Sequence, residues 1–242
     1  MHSNFTITGV TVADGPALAA NNIPSFWAGP HWRLEWRHRT LECHISQVAL
    51  RFPRNLLRNR ETTRHEKAID KITGKIVGYA RWSMPISHST ITSTDDKSLP
   101  AWPEALVPAV SQEEEAEINR MAETTAWGPD YTTDPLIRKM QQVEDLILNH
   151  TEKSYMTLEY LAVHPDQQRQ GIAPGLVRGG MQQAGKLGLD IFVHAMRPAV
   201  PVYQRLGSKQ VGELIQDDTA YGGQGQREDY FLIYEQPTQT NS

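Results

Sequence analysis

The 242-residue sequence predicts an α/β fold, and three stretches carry that prediction. Residues 156–163 end in an unbroken apolar run, which fits a central strand buried on both faces. A turn and a helix follow at once, and residues 189–195 then alternate as a second strand. Earlier, strand-like runs at 66–70 and 76–82 flank Thr73-Gly74, which predicts a β-hairpin.

The N-terminal region predicts a strand and a short helix. Apolar residues alternate with threonines over 5–12, and this strand is expected to end at Asp14-Gly15. Asp14 can cap a helix over 17–20, and Asn21-Asn22 with Pro24 is expected to end it.

Aromatic residues are concentrated in the next segment. Residues 25–32 contain Trp27 and Trp32 and read as a connection, and apolar residues at roughly helical spacing follow from Trp36 to Phe52, up to Pro53. Two interpretations stay open, since large aromatic side chains serve core or hinge packing and also line substrate sites.

Residues 83–150 predict an insertion-like segment before the central strand. Residues 83–103 are rich in Ser, Thr, Asp and Pro, which indicates a long loop or lid. A capping box at Ser111–Glu114 opens a helix to about Thr125, and a second helix is expected over 135–148. These helices would cover the sheet edge or one side of a binding site.

Composition excludes several classes of protein. A formal net charge of −4 argues against a nucleic-acid partner, which normally needs a basic face. Cys43 is the one cysteine, so no internal disulfide forms, which fits a reducing compartment. Met1–Asn4 leads directly into the first strand without a signal-peptide pattern, and no apolar run is long enough to span a membrane, so we expect a cytosolic protein.

The turn after the central strand has the features of an anion site. Pro165 stops the strand, and a helix begins at about Ile172. The first amides of a helix lack internal partners and the helix dipole favours negative charge, so a phosphate or diphosphate can bind there. Gly171 and Ala173 would leave room for close approach, although an ordinary tight connection is the alternative.

The pattern Gln168-x-x-Gly171-x-Ala173, after Leu161-Ala162-Val163, resembles the signature of the GCN5-related N-acetyltransferases (GNAT superfamily). A Tyr-x-x-x-Gly helix end, from Tyr203 to Gly207, strengthens the resemblance. It implies a mixed, mostly antiparallel sheet of about seven strands with helices on both faces, splayed between its fourth and fifth strands. Residues 1–242 would form one such domain, with 83–150 as the insertion.

The resemblance also implies where acetyl-CoA binds. The diphosphate would meet the turn, and the pantetheine arm would enter the splay and bond the backbone of the central strand. The implied cofactor-binding residues are Leu161, Ala162, Val163, Gln168, Arg169, Gln170, Gly171, Ile172 and Ala173. Arg169 could instead point to solvent. Many members carry an asparagine after the next strand, where this chain has Met196-Arg197-Pro198-Ala199.

Acetyl transfer to an amine needs a neutral nucleophile and protonation of the departing thiolate. Tyr203 matches the general acid of the family, and a buried structural tyrosine is the alternative. Strand alternation places Thr157, Glu159 and Leu161 on one face and Tyr160 on the other. Glu159 is the one titratable group there, so it is predicted to be the base, directly or through water, if it is desolvated. A structural ion pair is the alternative.

The resemblance places acceptor contacts on the segment after the first strand and on the loop around Gly222–Gly225. The expected acceptor-binding residues are Trp27, Trp32, Thr157 and Tyr221. The histidines show no metal-ligand spacing, so no metal is expected. Cys43 has no activating motif next to it, which disfavours a covalent acyl-enzyme.

The sequence thus predicts an acetyl-CoA-dependent N-acetyltransferase that acts on a small-molecule amine by direct attack in a ternary complex. Two alternatives stay open: a GNAT-like protein that binds acyl-CoA without catalysis, and an O-acyltransferase. We expect no nucleic-acid or membrane partner, and a monomer or homodimer.

Overall fold

A seven-stranded mixed sheet forms the centre of the computed structural model, which describes residues 4–92 and 97–237. The predicted start at Met1–Ser3 and residues 93–96 of the predicted insertion lie outside these ranges. The sheet order is β1-β2-β3-β6-β7-β9-β8, and β4 pairs with β5 in a separate hairpin. The strands are β1 (Phe5–Gly9), β2 (Thr63–Asp70), β3 (Ile76–Ser83), β4 (Thr90–Thr92), β5 (Ser98–Pro100), β6 (Tyr155–Val163), β7 (Asp190–Met196), β8 (Lys209–Asp217) and β9 (Gln226–Tyr234).

Helices cover both faces of the sheet, as the fold prediction required. They are α1 (Gly15–Trp27), α2 (Pro30–Glu35), α3 (Leu41–Leu56), α4 (Gln112–Glu123), α5 (Asp134–Asn149), α6 (Ile172–Leu187) and α7 (Val200–Arg205). One core lies between the sheet and α6 with α7, and a second lies between the sheet and α1 with α3. Among the strands of the described residues only the β6–β7 pair is parallel, which confirms the mostly antiparallel sheet.

The predicted β2–β3 hairpin and the two helices of the insertion are confirmed. Gly74 turns the hairpin at a φ of +69°, a region that suits glycine. The Ser111 side chain accepts a hydrogen bond from the Glu114 N–H at the start of α4. Helix α4 packs against α3, and α5 packs against β8.

The N-terminal predictions need correction. Strand β1 ends at Gly9, well before Asp14, and α1 runs through Asn21-Asn22 and past Pro24 to Trp27. Packing overrides the local signals here because Asn22 is fully buried, and the Ser25 hydroxyl donates to the Asn21 and Asn22 carbonyls beside the proline.

The next two predictions, a connection over 25–32 and a helix from Trp36 ending before Pro53, also fail. Residues 25–32 contain the end of α1 and the start of α2, and the following helix, α3, begins only at Leu41. Pro53 lies inside α3, with its ring against Gly15 of α1, where a β-carbon would come within 2.7 Å of it.

The predicted loop over 83–103 is partly structured. It contains the β4–β5 hairpin, and its Ala101 and Trp102 side chains are buried. The buried Arg64 guanidinium donates from Nε to the Ala101 carbonyl at 2.7 Å. These contacts attach the end of the loop to the core, so a free lid is wrong for this part of it.

Helix α6 sits unusually close to the sheet because it carries small residues on that face. A β-carbon on Gly180 would lie 2.1 Å from the Trp82 ring. Gly78 of β3 provides the matching space for Ile172 at the first turn, since a β-carbon there would lie 2.5 Å from Ile172 Cγ2. The absence of a side chain at Gly78 thus lets the first turn of α6 pack directly on β3.

A carboxylic acid is buried under the same helix. Glu66 of β2 is 8% exposed, and its Oε2 has no hydrogen-bond partner among the described residues. Burial raises the pKa of Glu66 to about 7, against a smaller lowering effect of the Trp82 indole.

We expect Gly180→Ala to destabilise the fold by about 1–3 kcal/mol, because the new methyl group overpacks the α6–Trp82 contact. Gly185→Ala in the same helix is the matched control, since its β-carbon meets only the Gln236 side-chain oxygen, at 3.3 Å. Urea unfolding checks this, and equal midpoints for the two variants would contradict the packing argument.

Glu66 should make stability depend on pH. Its pKa is about 7 in the folded state against an unperturbed 4.5, so stability falls as pH rises from about 4.5 to about 7 and stays low above that. The loss is on the order of 3 kcal/mol, since the folded and unfolded pKa values differ by about 2.5 and one pKa unit corresponds to about 1.4 kcal/mol. Glu66→Gln should flatten this part of the profile, measured as the difference in unfolding free energy between variant and wild type at pH 5 and pH 8. A difference that does not change with pH would refute the assignment.

Candidate active site

The main sheet opens between its two central strands. Strands β6 and β7 pair in parallel from Tyr155–Asp190 to Leu158–Val193, and the pairing stops there. Beyond that point β6 stays bonded to β3 and β7 stays bonded to β9. The two strands therefore separate towards the carboxyl end of β6, which confirms the predicted splay between the fourth and fifth strands of the sheet.

A β-bulge in β6 lies at the mouth of this opening. Arg81 of β3 pairs with Tyr160, whereas the next residue, Trp82, pairs with Leu158, so Glu159 is the extra residue. The extra residue shifts the alternation of side chains between the two faces of β6, so residues after Glu159 lie on the opposite face from the one expected. Leu161 packs with the α6 core and Tyr160 with the α1–α3 core. Leu161 therefore lies opposite Tyr160 as predicted, but the prediction that it shares a face with Thr157 and Glu159 is wrong.

The carboxyl end of β6 turns backbone groups into the opening. The His164 N–H donates to the Val77 carbonyl on the β3 side, at 3.3 Å. Because backbone groups alternate along a strand, the N–H and C=O of Val163 and Leu161 face the opposite side, where β7 no longer pairs. Ala162 between them bonds towards Tyr79 of β3.

The turn that follows ends in a helix start with free donors. Gly171 is the N-cap of α6 with a φ of +80°, and a β-carbon on it would meet nothing within 4 Å. The N–H groups of Gly171, Ile172 and Ala173 have no partner among the described residues. The first helical bond runs from the Gly175 N–H to the Gly171 carbonyl at 3.0 Å. Donors and dipole together make a site for a diphosphate.

The other residues of the predicted turn surround this helix start. Gln168 donates from Nε2 to the Val163 carbonyl at 3.5 Å, and Gln170 bonds to Gln167. Arg169 is exposed, at a φ of +64°, and forms no ion pair within the described part of the chain. Its guanidinium is therefore free to contact a phosphate or solvent.

Tyr203, the predicted general acid, lies on α7 in the core shared with α6 and is 4% exposed. Its hydroxyl makes no hydrogen bond to the described residues. Burial raises the pKa of Tyr203, so the phenol keeps its proton at neutral pH.

Glu159, the predicted base, is not desolvated as the prediction required. Its side chain is 36% exposed, and Oε2 lies 2.8 Å from Arg81 Nε across the β3–β6 pair. This ion pair is the structural alternative that the sequence analysis left open for Glu159.

The predicted acceptor residues of α1, α2 and β6 lie on the face away from α6. Trp32 packs against Phe26 with ring centroids 5.1 Å apart, and Phe26 packs against Tyr160 at 4.7 Å. Trp27 instead packs on the buried His44 of α3. Thr157 pairs with Ser83 and Phe192, directly before the sheet opens.

The fourth predicted acceptor residue, Tyr221, belongs to the β8–β9 loop, which folds back onto α2. Arg37 donates to the Tyr221 carbonyl at 3.3 Å. His31 Nδ1 lies 3.0 Å from the carboxylate of the buried Asp218. The loop is thus fixed beside α2 by polar contacts.

The sequence analysis missed a histidine–aspartate pair at the opening. His194 Nε2 of β7 lies 2.9 Å from Oδ1 of Asp229 on β9. Glu144 of α5 stands near both His194 and Glu159. Burial raises the pKa of Glu144, His194 lowers it, and Asp145 and Glu159 raise it. The signal available in the sequence was His194 itself, a polar residue within the otherwise apolar strand β7.

Neither a metal site nor a membrane segment is found in the described ranges. No group of three His, Cys, Asp or Glu residues there is arranged to hold a metal ion. None of the helices in these ranges has the length and apolarity that a membrane crossing requires.

Comparison with known proteins agrees with this geometry. Residues 146–220, which contain β6, the turn, α6 and β7, match the family model of the acetyltransferase (GNAT) domain. No curated protein sequence matches the chain. The family match over this stretch and the shared fold both agree with the GNAT resemblance that the sequence predicted.

Several solved structures share the fold over almost the whole chain. A histone acetyltransferase HPA2 and related acetyltransferase from Corynebacterium glutamicum has a TM-score of 0.57 at 16% identity, covering 98% of this chain and 99% of its own. An agmatine N-acetyltransferase mutant scores 0.53 at 15% identity, covering 97% and 100%. The Drosophila melanogaster polyamine N-acetyltransferase scores 0.52 at 14% identity, covering 96% and 100%.

Proposed function

We propose that this protein transfers the acetyl group of acetyl-CoA to the amine of a small molecule, by direct attack within a ternary complex. One observation carries the proposal: the β6–β7 opening leads directly to the free amides at the start of α6. An extended, amide-containing chain that ends in a diphosphate matches both features, and the pantetheine diphosphate of acetyl-CoA is such a chain.

The residues of the turn and of β6 would hold this substrate. The amides of Gly171, Ile172 and Ala173 would bind the diphosphate, with Arg169 free to add a charge contact. The backbone groups of Leu161 and Val163 would bond the pantetheine amides in place of the missing β7 ladder. The turn would be shaped by Gln168 and Gln170, and the end of β6 by Ala162.

Tyr203 would act on the leaving group. The buried phenol is protonated at neutral pH, so it can donate to the sulfur as the carbon–sulfur bond breaks. The same burial disfavours a free thiolate, which keeps proton transfer from the phenol favourable. Tyr203 would thereby complete the release of coenzyme A.

The face away from α6 would receive the acceptor. Trp32, with Phe26 and Tyr160, offers an aromatic wall beside Thr157. Glu144 and Glu159 provide carboxylates that suit a cationic amine. Agmatine and polyamine N-acetyltransferases are among the proteins that share the fold, which supports small amines as the first acceptors to test.

The same proposal covers domain organisation, assembly and location. The chain would act as a single acetyltransferase domain over 1–242, as a monomer or homodimer, without a metal. Trp27 and Tyr221 would support the acceptor wall from behind, through His44 and α2. We infer a cytosolic location from Cys43, which is free and exposed.

We expect Gly171→Ala to weaken coenzyme A binding by about tenfold or more, a change of about 1.4 kcal/mol. The new methyl group would stand in the open space at the helix start, where the diphosphate must approach, and alanine is strained at a φ of +80°. Isothermal titration calorimetry with coenzyme A measures the effect.

Gly188→Ala is the matched control for this prediction. Gly188 ends the same helix at a φ of +67°, and a β-carbon on it would also meet nothing within 4 Å. Both variants therefore carry similar backbone strain, and only the helix start should lose coenzyme A. Equal binding by Gly171→Ala and Gly188→Ala would place the diphosphate elsewhere.

We expect Tyr203→Phe to lower kcat by about 10²–10⁴-fold while coenzyme A binding stays unchanged, because the variant lacks only the proton donor. Thiol release from acetyl-CoA with agmatine, spermidine and phenethylamine measures turnover, and mass spectrometry of the product separates N- from O-acetylation. Tyr155→Phe, at the other end of β6, is the control. Tight coenzyme A binding by the wild type without turnover on any acceptor would reject the enzymatic proposal.

A further inference from the structure

His194 lies where the two central strands part. It is the first residue of β7 beyond the last β6–β7 pair, Leu158–Val193. Val193 and Ala195 on either side point into the α6 core, so the imidazole lies on the opposite face, which also carries Tyr160. The side chain is 26% exposed, so a ligand at the opening can reach it.

The imidazole is held in one orientation. Nε2 bonds to Asp229 Oδ1 at 2.9 Å, and the ring stacks on Phe231 with centroids 5.4 Å apart. Asp229 is fully buried and also accepts from Arg227 Nε at 3.0 Å. Burial raises the pKa of Asp229, but the hydrogen bonds from His194 and Arg227 outweigh it and lower the pKa overall.

This pairing fixes which nitrogen can take up a proton. An ionised carboxylate only accepts hydrogen bonds, so Nε2 must carry the hydrogen in the Asp229 contact. Nδ1 is then the unprotonated nitrogen, and it makes no hydrogen bond to the described residues. A buried carboxylate behind an imidazole also stabilises the imidazolium that forms on proton uptake.

Charged groups surround the ring. Glu144 of α5 interacts electrostatically with His194 and with Glu159 of β6. Arg227 is bonded to Asp229 and Arg81 to Glu159, so each cation already has a carboxylate partner. Oε2 of Glu159 is thus engaged by the Arg81 guanidinium, whereas Nδ1 of His194 is not engaged by any described residue.

We propose that His194 is the general base of the acetyl transfer and that Asp229 is its positioning residue, in place of Glu159; this rests on the function proposed above. The amine nitrogen bonds to the thioester carbonyl carbon, and Nδ1 of His194 takes the proton that this nitrogen sheds. The carbon–sulfur bond breaks, and the thiolate takes the proton of Tyr203. The imidazolium then loses its proton to solvent and the phenolate regains one, so amine and thioester become amide and thiol.

The test compares His194→Gln with His150→Gln, an exposed histidine at the end of α5. Glutamine can still donate to Asp229, so we expect the variant to fold and to bind coenzyme A as the wild type does. We expect kcat with agmatine or spermidine, whichever the wild type acetylates, to fall by about 10²-fold or more at pH 7. The deficit should shrink at high pH, where hydroxide can take the proton that the attacking amine sheds.

Two further variants separate catalysis from structure. His194→Ala should regain activity when imidazole is added to the assay, which a merely structural histidine would not allow. Asp229→Asn should lower kcat at least tenfold with KM for acetyl-CoA unchanged, because it frees the ring to adopt the other tautomer. Glu159→Gln should retain the wild-type dependence of kcat on pH.

The outcomes distinguish this inference from the proposed function. If the wild type acetylates an amine but His194→Gln matches His150→Gln, or imidazole gives no rescue, His194 is not the base and acetyl transfer stands. If Glu159→Gln alone removes the acidic limb of the pH profile, Glu159 is the base. If the wild type binds coenzyme A but acetylates no amine, both proposals fall.

Discussion

The structure depends on the failure of β6 and β7 to stay paired beyond Leu158–Val193. Each strand is held on its outer side, β6 by β3 and β7 by β9, so the opening cannot close without breaking existing ladders. The extra residue at Glu159 bends β6 at this point, as bulges do. Backbone groups left free in the opening require partners, and an extended ligand chain with its own amides satisfies them in the same way that a strand would.

The start of helix α6 fixes the position of the other end of the proposed ligand, its diphosphate. Gly171 reverses the chain directly after β6, so the free amides lie in line with the opening. Gly180 and Gly78 let the helix sit close to the sheet, which sets where those amides point. A larger residue at the Trp82 contact would therefore affect both stability and the position of the helix start. The packing of α6 thus links the hydrophobic core to the proposed binding site for acetyl-CoA.

The parts of the fold that depend on local sequence were predictable. The hairpin at Gly74, the capping box at Ser111 and the turn at Gly171 are each set by residues a few positions apart. Long-range packing decided the failures, since α1 passes Pro24 and α3 passes Pro53 where buried neighbours hold the helices together. The bulge follows from pairing with β3, and the His194–Asp229 bond joins residues 35 positions apart, so neither could be derived from local sequence patterns.

The two sides of the proposed site are built differently, and this difference determines which side can change its sequence most easily. The acetyl-CoA side consists of β6, its turn and α6, which share one apolar core. The acceptor side is assembled from α2, α5 and the β8–β9 loop, joined by polar contacts such as His31–Asp218 and Arg37–Asp130. Connecting segments tolerate sequence change better than a packed core does, so these segments can change without unfolding the sheet. The acceptor can therefore differ between proteins while the proposed acetyl-CoA site stays the same. This accounts for one fold being shared by proteins named for histones, agmatine and polyamines.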